Sequence, residues 1–268
     1  MLWKEFKFSE IIAISDPHAH LATTEALLDT LSKKYPNVAI FVIGDMIDKG
    51  RRAKELVELI KNRPNTFALL GNHDHFMIVE DHPSWKRYES LWLYNNGKMT
   101  HRSYGGRWKI SNRIDNKKKF IEHVNWFKSL PLVANFPNIK INDRELILSH
   151  AGIDKSATDM GSLENLKKLL LKESSKTLLN CHIKDSSSTE QRAILDILWN
   201  RLDSSIPVPD FGIFNVFGHT NQSDVLIDKH YACIDTTIYK PNKLSAIHLP
   251  SMEITSQETL DDTWGEKR

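Results

Sequence analysis

Eight side chains able to hold a metal ion or move a proton stand in five short stretches of this sequence. They are Asp16 and His18, Asp45 and Asp48, Asn72 and His73, His150, and His219. Each group directly follows a short apolar run, at residues 10–15, 39–43, 66–70, 145–148 and 214–217. Carboxylates, imidazoles and an amide oxygen make a mixed oxygen and nitrogen set. Such a set suits Mn²⁺, Fe or Zn²⁺ better than Ca²⁺ or Mg²⁺, which prefer oxygen alone. The set is larger than one catalytic ion needs. Two ions about 3.5–4 Å apart, holding a water and polarising an ester, are the natural count. Taken singly, each residue has an ordinary explanation: Asp16 before Pro17 begins a turn, Asn72 after glycine adopts a left-handed turn, and a lone histidine is a hydrogen-bonded surface group. That account must then hold independently at five strand ends.

The elements that would position these groups follow from the same pattern. Apolar runs at 10–15, 39–43 and 66–70 alternate with amphipathic helices at 21–34 and 51–62, the rhythm of a parallel sheet. In such sheets ligands collect at the carboxyl ends of strands. Glycines flank Asp45 and Asp48 and allow a tight path. Residues 76–130 read as a mostly helical insertion, with helices at 85–94 and 118–130 and a polar loop at 100–116. Short strands follow at 132–136, 139–141 and 145–148. Residues 154–210 read as a second excursion, with its best helix at 189–202. Runs at 225–227, 231–234, 244–248 and 252–255 read as antiparallel strands. The expected organisation is one α/β domain over 1–255 and a loose polar tail at 256–268.

Composition narrows the function classes. The 268 residues carry 36 basic and 34 acidic side chains, a net charge of +2, so nothing suggests a grip on long nucleic acid. No apolar run approaches the roughly 18 residues of a membrane span, and residues 1–8 lack the core of a signal peptide. Cys181 and Cys233 read as reduced thiols of a cytoplasmic protein. His20, His75, His82, His101, His123, His182, His230 and His248 lack neighbouring ligand types and read as ordinary hydrogen-bonded histidines.

The stretches Asp16-Pro17-His18, Gly44-Asp45-Met46-Ile47-Asp48-Lys49-Gly50, Gly71-Asn72-His73-Asp74, His150-Ala151-Gly152 and Gly218-His219-Thr220 resemble the motifs of the calcineurin-like metallophosphoesterases. In order and spacing they are most similar to the phosphoprotein phosphatase branch, in its bacterial and phage form. The likeness continues through Trp92-Leu93-Tyr94-Asn95-Asn96-Gly97. It implies a four-layer fold, a mixed β-sandwich flanked by helices, with two divalent ions at one end, Mn²⁺ first among the candidates. It implies that Asp16, His18 and Asp45 hold one ion. Asp45 would bridge to a second, completed by Asn72, His150 and His219. His73 would be the general acid, oriented by Asp48, and Arg201 and Lys49 would bind the substrate phosphate. Three departures stand out: Lys49 where the family has arginine, Asp74 where it has glutamate, and Asn221 where phosphodiesterase branches place a histidine. Lysine keeps the charge but loses the bidentate fork.

The expected activity is hydrolysis of a phosphoserine or phosphothreonine monoester, or of a small phosphoester, by a metal-bound hydroxide. The alternative is a symmetrical bis(5'-nucleosyl)-tetraphosphatase-type hydrolysis of dinucleoside polyphosphates. A non-catalytic scaffold is disfavoured by the complete ligand set, and a nuclease by the near-neutral charge and Asn221. Oligomeric state is not readable.

Overall fold

Strands with apolar residues at every position, and not only at alternate ones, are buried on both faces. This chain has such runs at β2 (Ile11–Ile14) and β3 (Ala39–Ile43), and β7 (Ile213–Phe217) is apolar and buried except for the buried Asn215 at its centre. The computed structural model describes residues 1–80, 89–106, 116–174, 177, 188–203, 208–240 and 242–261. Within them, two sheets lie face to face. The five-stranded sheet has the order β11-β10-β2-β3-β4, where β4 is Thr66–Leu69, β10 Lys243–Leu249 and β11 Glu253–Glu258. In it β2, β3 and β4 are mutually parallel, and β10 runs antiparallel to β2 and β11. The six-stranded sheet has the order β1-β5-β6-β7-β9-β8. Its remaining strands are β1 (Trp3–Glu5), β5 (Val133–Ile141), β6 (Arg144–Ser149), β8 (Leu226–Ile227) and β9 (Tyr231–Cys233).

Side chains alternate along a strand, so each buried strand feeds two cores. Ile11, Ala13, Phe41 and Ile43 meet Ala134, Phe136, Leu146 and Leu148 between the sheets. Phe41 and Phe136 touch edge to face there, with ring centroids 4.9 Å apart. Ile12, Ile14, Ile40 and Val42 point the other way. They meet Leu27, Leu28 and Leu31 of helix α1 (Leu21–Lys34) and Leu56 and Ile60 of α2 (Ala53–Asn62). Each such side chain contributes roughly 1.5–3 kcal/mol by leaving water. Helices α3 (Asn72–Glu80), α4 (Glu89–Tyr94), α5 (Gly97–Ser103) and α6 (Lys117–Phe127) form the first insertion. Helices α7 (Asp154–Asp159), α8 (Leu163–Lys172) and α9 (Thr189–Trp199) belong to the other excursion, and α8 packs on β1 of the six-stranded sheet. Sheets within, helices without: this is the mixed, four-layer α/β sandwich expected.

Several local readings change. Residues 100–103 are helical, because Asn95-Asn96-Gly97 ends α4 and α5 starts at once. Gly97 lies flat on the Trp92 ring, where a Cβ would come within 2.6 Å. Residues 107–115 and 85–88 of the expected loop and helix lie outside the described residues, as does Cys181. The two short strands at 132–136 and 139–141 are one strand with a register shift between Phe136 and Lys140. Strand β9 pairs parallel with β7, so the later strands are not all antiparallel. The segment expected to be loose from 256 on is ordered through 261. Residues 256–258 complete the edge strand β11, and the Asp261 carboxylate accepts from Ala22 N at 3.1 Å and Thr23 N at 2.9 Å, at the start of α1.

Candidate metal centre

The five ligand-bearing loops leave the carboxyl ends of β2, β3, β4, β6 and β7. The first three strands are parallel, and so are β6 and β7, so the loops gather at one end of the sandwich. Backbone hydrogen bonds tie them together. Gly218 N donates to His150 O at 2.8 Å, and His18 N to Asp45 O at 2.9 Å. Asp74 accepts from Met46 N at 2.9 Å and Gly71 N at 3.0 Å, clamping the second loop to the third. Gly44 and Gly71 meet backbone to backbone. A Cβ on Gly44 would lie 2.5 Å from Gly71 Cα and 2.8 Å from His150 Nδ1. Asp16, His18, Asp45, Asp48, Lys49 and His219 all have positive φ. That conformation costs non-glycine residues on the order of 1–2 kcal/mol each and persists where a site demands it.

All eight predicted groups are buried. His150 Nε2 lies 3.3 Å from Asp45 Oδ1, and His18 Nε2 lies 3.6 Å from Asp45 Oδ2 and 3.9 Å from Asp16 Oδ1. His219 N donates to Asp16 Oδ2 at 3.1 Å, and Ser15 Oγ also donates to it. Two histidine tautomers are fixed by carbonyls. His150 Nδ1 is 2.9 Å from Ile43 O, and His18 Nδ1 is 3.1 Å from Ile47 O. Each Nδ1 must donate there, so each Nε2 lone pair faces inward, as in metal-bound histidines.

The Asn72 side chain shows what this donor set lacks. Its amide oxygen lies 2.9 Å from His150 Nε2, 3.1 Å from His219 Nδ1, and 3.2 and 3.3 Å from the two Asp45 oxygens. Turning the amide over would offer two hydrogens to four facing atoms. Neither orientation satisfies the set without a cation at its centre. Two ligand groups result, Asp45 with His150 and His219, and Asp45 with His18 and His73, sharing Asp45. Burial is the largest cause of the shifts here: Asp16 is pushed up to about 6, Asp45 is raised, and His18, His150 and His219 are lowered. A bound cation favours the opposite for the acids, since carboxylates bind it charged and imidazoles bind it neutral. The residues present therefore fit two divalent ions.

His73 stands beside this set. Its Nδ1 is 2.6 Å from Asp48 Oδ2, and its Nε2 faces Asp45 Oδ2 at 3.9 Å. Asp48 also accepts from Trp92 Nε1 at 2.7 Å and from Thr100 Oγ1. Burial pushes Asp48 up to about 7 and His73 down to about 3. At 2.6 Å one hydrogen lies between the two side chains. Trp92 and Thr100 were not expected in this role, because hydrogen-bond donors from a separate helix carry no spacing signal. Arg201 is exposed at the rim and donates to His219 O at 3.0 Å. Asn221 donates to Asp235 Oδ2 at 3.1 Å and accepts from Tyr239 OH at 2.9 Å. Asp235 is a further buried carboxylate that the sequence reading passed over.

Residues 9–223 match the calcineurin-like phosphoesterase family. The chain belongs to that family. The fold of this phosphoesterase is similar to several solved structures. One is a serine/threonine phosphatase from Saccharomyces cerevisiae with similarity to human PP5, at 15% identity over 98% of this chain and 85% of that one, TM-score 0.60. A candidate diadenosine tetraphosphatase matches at 16% identity over 97% and 99%, TM-score 0.57. A cold-active protein-tyrosine phosphatase from Shewanella matches at 18% over 96% and 82%, TM-score 0.53. At such identities the likeness concerns the fold. No curated protein matches the sequence. Among the described residues, no helix is long and apolar enough to cross a membrane.

Proposed function

We propose that this phosphoesterase is a dimetal phosphomonoesterase of the phosphoprotein phosphatase branch, acting on phosphoserine or phosphothreonine. Mn²⁺ is the metal we assign. Asp16, His18 and Asp45 would hold one ion, and Asp45, Asn72, His150 and His219 the other. Two such ions, when bound, would supply charge to neutralise the phosphoryl oxygens and to activate an attacking water. The protein's own groups do the rest. Asp45 is held for its shared position by the His73 backbone amide, which donates to Oδ1 at 3.0 Å. Arg201 draws the phosphate from the rim through its guanidinium, and the field it adds stabilises the equatorial oxygens. Lys49 adds a second positive charge.

The observation that carries this reading is the His73–Asp48 pair at 2.6 Å. A serine or threonine alkoxide is a poor leaving group and must be protonated as it departs. A buried pair holding one proton beside the ligand set supplies it, a contribution on the order of 10²–10⁴ in rate. A polyphosphate leaving group needs that proton far less. The test is the Mn²⁺-loaded protein and its His73→Asn variant on a phosphoserine peptide and on diadenosine tetraphosphate. The expected result is peptide turnover that His73→Asn lowers about 10²-fold or more, with metal content unchanged. Preferential cleavage of the dinucleotide, insensitive to His73→Asn, would reverse the assignment.

A further inference from the structure

Lys49 lies deeper than a phosphate-gripping side chain needs to. Its Nζ is 2.8 Å from His18 Nε2 and 3.9 Å from the centroid of the Tyr239 ring. An ammonium has three donors and no acceptor. His18 Nε2 must therefore accept from it, and the His18 proton stays on Nδ1, toward Ile47 O at 3.1 Å. That Nε2 lone pair is the one that faces Asp45 and Asp16. A divalent ion would bind it at about 2.0–2.2 Å. An ammonium at 2.8 Å on the same lone pair leaves no space for one.

The surroundings hold the ammonium in place. Burial disfavours the charge on Lys49, and the carboxylates of Asp45, Asp235, Asp16 and Asp48 attract it. The Tyr239 face adds a cation–π contact. That ring is fixed by its hydroxyl on Asn221, and Asn221 by Asp235, whose other oxygen accepts from Thr237 N at 2.9 Å. Two of the departures from the family pattern, Lys49 and Asn221, thus belong to one connected arrangement.

We propose that Lys49 competes with the first metal ion for His18, so that this lysine sets the metal affinity of the site. Metal entry requires Lys49 to release His18. The inference rests on the metal-centre reading above, and the experiment separates the two. Mn²⁺ is titrated calorimetrically into the metal-stripped full chain and into its Lys49→Met variant. A competing state populated nine times in ten weakens apparent affinity about tenfold. Lys49→Met is therefore expected to tighten the first Mn²⁺ by a factor on the order of ten. Equal or weaker binding by a folded variant, judged by circular dichroism, overturns the proposal and leaves the metal centre standing. No binding by either protein overturns both.

A measurement on the unmutated protein covers the case where Lys49→Met does not fold. Reductive methylation read by mass spectrometry reports on Lys49 with and without Mn²⁺. Displacement predicts more labelling of Lys49 when Mn²⁺ is present, with the exposed Lys168 unchanged. Labelling of Lys49 that stays constant or falls overturns the proposal.

Discussion

Among the described residues, two clusters place histidine and carboxylate atoms close enough to hold a metal: the loop end of the sandwich, and Glu58, Glu122 and His123 between α2 and α6. They differ in counter-charge and in backbone. Glu58 is paired with Lys119 at 2.9 Å and with His123, and Glu122 is paired with Lys119 at 2.8 Å and with Lys61. Two carboxylates thus face two lysines, on regular helices, with Lys119 and Glu122 at the i,i+3 spacing that favours a pair. At the loop end, Asp16, Asp45, Asp48 and Asp235 are buried with Lys49, on a backbone repeatedly forced to positive φ. Proximity of ligand atoms is common to both. Unmet negative charge and backbone strain mark only the loop end, and these favour it as the functional cluster.

The sharpest way to break this comparison is to neutralise one acid in each cluster. Asp45→Asn is expected to lower turnover of p-nitrophenyl phosphate by about 10³-fold or more, since metal-ion stabilisation is worth several kcal/mol, and to lower bound Mn²⁺ with it. Glu122→Gln is expected to leave both unchanged. Loss of metal from Glu122→Gln would erase the distinction. Removing the donors that hold Asp48 comes next. Trp92→Phe or Thr100→Val is expected to reduce kcat roughly 10–100-fold, the usual cost of a lost supporting hydrogen bond at a metal site, with Mn²⁺ stoichiometry kept. Third is the strained backbone. Gly44→Ala would set a methyl group against Gly71 and His150 at a φ of +79°. A loss of about 2 kcal/mol in urea unfolding is expected.

The smallest effect belongs to the balanced cluster. Hydrogen bonds from Lys119 and Lys61 hold Glu122 at about 2, below its ordinary 4.5. A depressed acid stabilises the fold above its unfolded value, and the gain is lost as pH falls from 4.5 toward 2. The gap in urea midpoint between the natural protein and Glu122→Gln should therefore be present at pH 6 and shrink by pH 3. It should be modest at both, since exposed pairs contribute little.

What the sequence made legible was the ligand end. Buried parallel strands are read from unbroken apolar runs, and Asp16, Asp45, Asn72, His150 and His219 each stand just past one. Strand β1 escaped notice because three residues reading Trp-Lys-Glu carry no pattern, and their partner in β5 is 130 positions away (Trp3 opposite Val133). Trp92 and Thr100 were hidden for a similar reason: both reach Asp48 from an insertion whose packing only the fold defines. Lys49 was visible as a residue but not as a direction. Its neighbours in sequence say that the ammonium is near phosphate, whereas His18 and Tyr239 show it turned inward.

The docking of Asp261 onto the first turn of α1 has a consequence for assembly. That helix begins directly after the Asp16–His20 loop, and β2, which leads into the loop, takes β10 as its neighbour. The earliest ligands are thus completed by some of the latest residues. The contact between Thr23 and Asp261 spans 238 positions, so the start of α1, next to the first ligand-bearing loop, is braced by a pairing of long sequence separation, the kind that forms slowly.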